Sequence, residues 1–228
     1  RLMDPDTRAL VLDEMRTPTD DWENLGLGAG PEGVMVVGFK QDSLRYLIGQ
    51  TLAEIAADRN TSPEDVAIDL VISDSTRVDA VYFLMSEENV KKQIALPWLS
   101  FDSDAESMAP EGENLDNNPH PRAYGNFARL LGKYVRDEGV ISLEEAIRKL
   151  TSLPANNLRL SRRGRIQVGH YADITVFDPD EIQDHATFEE PHQLSTGMSH
   201  VIVNGVQVLD EGQHTGATPG RAVLRGEK

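Results

Sequence analysis

Two carboxylates close together, in Asp102-Ser103-Asp104, follow directly on the apolar run Pro97-Trp98-Leu99-Ser100-Phe101. A carboxylate at the end of a buried strand is placed to bind a hard or borderline cation and its water. Coordination brings such a water's pKa down to about 7, and a nearby carboxylate can then take its proton. The same two residues also suit a simple turn cap. Arg122, in Pro119-His120-Pro121-Arg122, presents a rigid fork that matches a carboxylate, whether a substrate's or a protein's. The six histidines, His120, His170, His185, His192, His200 and His214, form no His-x-His or His-x-x-x-His pair. No local zinc motif exists, so a zinc site built from this sequence alone is not expected. His170, His200 and His214 read as surface or structural residues of strands. His185 and His192 flank a loop that could pack against a barrel. Tyr124 and Trp98 read as core or pocket wall.

The elements that must position these residues can be read from periodicity and punctuation. Asp4-Pro5 opens an amphipathic helix over 4–16, which Thr17-Pro18 ends. Residues 34–39 form a short apolar run, most simply a buried strand. Residues 51–59 look helical. Ser62-Pro63-Glu64-Asp65 starts a helix to about Ile72, with Val66, Leu70 and Val71 inward. Residues 80–85 and 97–101 read as strands separated by a helix from Val90 to Ile94. That rhythm suggests a parallel α/β unit, with functional side chains such as Ser86 and Asp104 just past the strand ends. A long polar loop covers 105–121, a length often found at functional sites. Helices follow over 123–136 and 143–150, the second opened by Ser142-Leu143-Glu144-Glu145. Beyond Pro154 short strands are predicted over 164–166, 172–177 and 201–209, with Asn204-Gly205 as a hairpin turn.

Composition narrows the function classes. Acidic side chains outnumber basic ones 38 to 22, for a net charge of −16. Such a surface repels phosphate backbones, so nucleic acid is not an expected partner. There is no cysteine, which excludes disulfides, thiolate metal sites and cysteine nucleophiles in this segment. No apolar run approaches the roughly 20 residues of a membrane span, so no membrane partner is expected. The start, Arg1-Leu2-Met3-Asp4-Pro5-Asp6, shows no signal-peptide pattern, and a cytoplasmic protein or a piece of one is the expectation. At 228 residues the chain is shorter than the about 250 typical of a complete eight-stranded α/β barrel.

Several blocks together resemble the N-acyl-D-amino-acid deacylases, or D-aminoacylases, of the amidohydrolase superfamily. They are Phe101-Asp102-Ser103-Asp104-Ala105, Ala109-Pro110-Glu111-Gly112, His120-Pro121-Arg122-Ala123-Tyr124-Gly125 and Leu131-Gly132-Lys133-Tyr134-Val135-Arg136. Phe83 to Glu88, Ser152 to Asn156 and Ala172 to Asp178 add to them, the last being generic to the superfamily. The resemblance implies an α/β fold, the C-terminal part of a (β/α)8 TIM barrel with a small insertion and a C-terminal β-sandwich module. Residues 1–75 would be the insertion before the seventh strand, 76–153 the last barrel strands and helices, and 154–228 the sandwich module.

The resemblance further implies zinc as cofactor, with most ligands in a preceding N-terminal part. Asp104 would touch the metal and act as general acid/base, Arg122 would grip the α-carboxylate of a small N-acyl-D-amino acid, and Met85 would line the pocket. Asp102 stands where the family usually has glycine. The implied partners are that substrate and either further copies of the chain or its N-terminal portion, and this segment alone is expected to be inactive. A cyclic-amide hydrolase of dihydroorotase or hydantoinase type, or a non-catalytic assembly module, are the rival readings.

Overall fold

A computed structural model describes residues 1–225, so the last three residues of the expected 154–228 module lie outside the described part. The chain divides into two units, one of residues 1–86, 108–120 and 188–192, the other of 87–107, 121–187 and the remainder from 193.

The first unit opens with α1 (Pro5–Arg16), where Asp4 caps the Thr7 amide as its sequence position requires. The short α2 (Leu25–Ala29) leads into β1 (Val34–Gly38), every residue of which is buried. α3 (Leu52–Arg59) starts with a reciprocal capping box between Thr51 and Glu54, and α4 (Pro63–Asp74) is capped by Ser62. Their inward faces meet β1 in a core of Val36, Phe39, Leu47, Ile55, Val66 and Leu70. Each fully buried large side chain there contributes about 1.5–3 kcal/mol. Val71, expected inward, is 37% exposed. In a 3.6-residue period it follows Leu70 by about 100°, which carries it off the buried stripe.

β2 (Asp79–Tyr82) pairs antiparallel with β1, joining Val34 to Tyr82 and Met35 to Val81. The expected parallel unit of residues 80–85 with 97–101 is not formed, because 97–101 is not a strand. β2 also stops earlier than predicted, and Phe83, Leu84 and Met85 lie outside it, partly or largely exposed.

In the second unit α5 (Glu87–Ile94) is followed by α6 (Arg122–Arg129). That helix runs on into a π-helical stretch, Leu130–Asp137. Next come α7 (Leu143–Leu150), capped by Ser142, and α8 (Ser152–Asn157). β3 (Ile174–Phe177), β4 (Met198–Val203), β5 (Val206–Asp210) and β6 (Gln213–His214) form an antiparallel sheet in chain order. Asn204 and Gly205 take φ of 50° and 82°, the left-handed pair that a tight two-residue hairpin needs. Ile94, Leu130, Leu131, Tyr134, Ala146 and Ile182 are buried together in this unit's core.

Residues 164–166 form no strand. Gly164 bends the chain at φ 74°, so close to α8 that a Cβ would stand 2.7 Å from that of Ala155. Nor do residues 97–101 form one. The chain is instead held from α7: Arg148 Nη2 donates to Pro97 O at 2.6 Å, and just before it Lys149 Nζ donates to Leu96 O at 2.7 Å and to Ile94 O. Among the described residues no helix is long and apolar enough to cross a membrane.

Candidate active site

The segment leading to Asp104 is therefore fixed from α7 rather than by a sheet. Lys149 is fully buried, and its ammonium sits 5.0 Å from the centre of the Phe101 ring. Burial pushes that ammonium below the ordinary lysine pKa, while its carbonyl partners keep its donors satisfied. The chain then turns at Asp102-Ser103-Asp104. The Asp104 amide donates to Asp102 Oδ1 at 3.2 Å, and Asp104 takes a left-handed φ of 46°. Asn126, on α6, donates from Nδ2 to the Asp102 carbonyl at 3.0 Å. Asp102 thus does act as the local turn former that its residue type allows.

Arg122 is the first residue of α6, immediately after Pro121. Its Nη2 donates to Asp104 Oδ2 at 2.7 Å, an ion pair in which the Asp104 side chain stays 83% exposed and that of Arg122 41%. Two of the three residues singled out in the sequence are thereby brought into contact from positions 18 apart. Met85 belongs to the first unit, three residues past β2, with its side chain 85% exposed.

Beside Arg122 lies a cavity of roughly 290 Å³, lined by Ser103, Arg122, Tyr124, Phe127, Ile182 and Met198 among others. Its wall is mainly apolar, and burial raises the Tyr124 hydroxyl above the usual tyrosine pKa. Ser195 donates from Oγ to the Tyr124 carbonyl at 2.8 Å, tying α6 to the segment before β4. The cavity's polar lining comes from Ser103, Arg122, Tyr124, Asn126 and Ser195.

The histidines mostly serve structure. His120 meets Phe188 edge to face at 5.0 Å, His192 bonds the Asn117 carbonyl at 2.9 Å, and His185 bonds the Thr196 hydroxyl at 2.9 Å. His200 is different. Its Nδ1 is 3.2 Å from Asp210 and its Nε2 3.4 Å from Glu211, which makes this trio the one cluster of three potential metal ligands among the described residues. Sequence reasoning did not find it, because the pairing of β4 with β5 assembles it and no local spacing encodes it.

Residues 116–209 match the model of the amidohydrolase family. The D-aminoacylase of Alcaligenes xylosoxydans xylosoxydans is 40% identical over 179 residues, which cover 78% of this chain and 34% of that protein. Over most of its length the chain is similar to a D-aminoacylase. A solved D-aminoacylase with a binuclear metal centre superposes at a TM-score of 0.73 with 37% identity, over 86% of this chain and 38% of its own. The N-acyl-D-glutamate deacylase of Bordetella bronchiseptica, complexed with zinc and a phosphonate inhibitor, superposes at 0.69 with 32% identity, over 88% and 38%. The chain spans about a third of the length of the curated relative it matches. The likeness takes in both units, since coverage of this chain exceeds the extent of either.

Proposed function

We propose that this chain is the C-terminal portion of an enzyme that hydrolyses the amide bond of N-acyl-D-amino acids, releasing a carboxylate and a free D-amino acid. In that longer protein residues 1–75 are the insertion, 76–153 complete a (β/α)8 barrel, and 154–228 belong to a β-sandwich module. The relatives' shared chemistry and the Asp104–Arg122 contact at 2.7 Å support this reading. The enzyme would work in the cytoplasm, on a small-molecule substrate, as an oligomer or joined to its N-terminal portion.

In the mechanism Arg122 binds the α-carboxylate of the substrate through its fork. Asp104 accepts the proton of the attacking water and passes it to the departing amine as the C–N bond breaks. Met85 lines the pocket for the substrate side chain. Zinc, when bound, polarises the acyl carbonyl and lowers the pKa of the water. Asp104 fits that role as one oxygen donor, because its carboxylate, bonded to Arg122 through Oδ2, stays largely exposed. Zinc sites use about three or four protein ligands, so the others would come from outside these 228 residues.

The test is an initial-rate assay of the full-length protein, loaded with zinc, on N-acetyl-D-amino acids, their L-enantiomers and dihydroorotate. Turnover of the D-substrates alone supports the reading. Preference for the cyclic amide, or no turnover of any substrate, overturns it. The isolated 228-residue chain should be inactive with added zinc.

A further inference from the structure

The strands β4 and β5 bring together three side chains that the proposed reaction does not use. Val201 pairs with Leu209 across these antiparallel strands, and further on the Gly212 amide donates to the Ser199 carbonyl at 3.0 Å. The backbone on both sides of Asp210 and Glu211 is thereby tied to the strand that bears His200. Glu211 and Gly212 take φ of 46° and 76°, the left-handed pair of a two-residue hairpin turn that joins β5 to β6.

Each ring nitrogen of His200 faces a carboxylate. Nδ1 lies 3.2 Å from Asp210 Oδ1, and Nε2 lies 3.4 Å from Glu211 Oε1. One donor atom from each of the three residues falls within 4.8 Å of the other two. Gln207, also on β5, steadies the group, its Nε2 standing 3.1 Å from His200 Nδ1 and 2.9 Å from Asp210 Oδ1. Carboxylates are plentiful on a chain with 38 acidic residues, yet among the described residues no other three potential ligands converge in this way. The imidazole sets the group apart, because it adds a nitrogen donor to the oxygens.

We propose that His200, Asp210 and Glu211 bind a divalent transition-metal cation of the zinc, cobalt or nickel class. One nitrogen and two carboxylate oxygens suit a borderline cation, whereas calcium and magnesium take oxygen donors alone. With metal–ligand bonds of about 2.0–2.2 Å, bound donors stand about 3–3.5 Å apart. The side chains of Asp210 and Glu211 are 58% and 83% exposed, so they close the remaining distance without disturbing any packing, and water fills the other positions. Only one ring nitrogen ligates the ion. The other stays beside a hydrogen-bonding oxygen, the arrangement that orients metal-bound imidazoles. The ion fastens β4 to the turn after β5 and so stabilises the sheet. The site shares no residue with the Asp104–Arg122 pair and does not depend on the hydrolase reading.

Zinc titration of the 228-residue chain in competition with a chromophoric chelator tests this, with calcium as the oxygen-preferring reference and the histidine ring resonances followed by NMR. Saturable zinc uptake that shifts the His200 ring ahead of the other five histidines, is lost in H200A and is weakened about tenfold in E211Q supports the site. Zinc should also raise the thermal midpoint of the parent chain and leave that of H200A unmoved. E211Q alters an exposed turn residue and keeps the test readable should H200A misfold. Uptake that persists in D104N separates this site from Asp104. A His200 ring unmoved at saturating zinc, uptake unchanged in H200A or E211Q, uptake lost in D104N, or calcium bound as tightly as zinc overturns the proposal.

Discussion

Arg122 and Asp104 are hydrogen-bonded to each other at 2.7 Å, although the proposed reaction uses them on different parts of the substrate. A substrate carboxylate that enters the Arg122 fork competes with Asp104 for the same donors. Binding would then release the Asp104 carboxylate at the moment a proton acceptor is required, which couples substrate recognition to base activation.

In the full-length protein D104N should lower kcat by about 10²–10⁴, the usual contribution of a general acid/base. R122K should act mainly through KM, because lysine keeps the charge and loses the fork. Steady-state kinetics on an N-acetyl-D-amino acid separate the two. Equal effects of both variants on kcat, with KM unmoved, would contradict the division of roles. The pair is exposed, and such pairs typically contribute about 0.2–1 kcal/mol, so neither variant should lower the thermal midpoint of the 228-residue chain by more than a few degrees.

Gly197 takes φ of 85°, and a Cβ there would stand 2.5 Å from the backbone N and Cα of Ile182, itself buried. G197A should cost about 2 kcal/mol or more, since backbone strain adds to an overlap that no side chain can relieve. Urea unfolding of the two proteins measures it, and an unchanged midpoint would show that this approach of two backbone segments is soft.

Lys149 satisfies the carbonyls of Ile94 and Leu96 from a fully buried position. K149M keeps the aliphatic packing but leaves both oxygens without that donor, at a cost of about 1–3 kcal/mol for each one that water cannot reach. Loss of the near-ultraviolet signal of Trp98, two residues beyond Leu96, would report release of the segment that leads to Asp104.

Asp74 is fully buried. Burial alone would raise its pKa, but hydrogen bonds from Thr76 and from the Gln41 and Lys40 amides outweigh this and hold it below the ordinary aspartate value. Because the folded value lies below the unfolded one, its stabilisation is complete above about pH 4 and fades as pH falls through the lower folded value. D74N should be less stable at pH 7 and show a shallower decline below pH 4, measured by circular dichroism across an acid series. Parallel acid profiles would rule Asp74 out as a source of the acid sensitivity.

Local signals were readable in the sequence: Asp4-Pro5, Ser62-Pro63 and Ser142 all cap the helices they were expected to open. The Asn204-Gly205 turn was equally legible. Strand pairing was not, because β2 satisfies its hydrogen bonds with β1, some 45 residues earlier, and nothing in an apolar run specifies a partner or its direction. At the candidate site Arg122 and Asp104 could be picked by residue type. The turn that holds Asp104 depends on Asp102 and on Asn126, 24 residues away, and is a product of folding.

β1 has one strand partner, yet its other edge is not bare. Val36 exchanges backbone hydrogen bonds with Gly49 and Gln50, Val37 accepts from the Asn118 amide, and Asn117 accepts from the Phe39 amide. Irregular loops from two distant stretches thus act as a second neighbour. A solvent deuteron reaches the Val36 amide only when those loops and the helices above them let go together. Its exchange clock accordingly reads the opening of the whole first unit rather than the fraying of a strand.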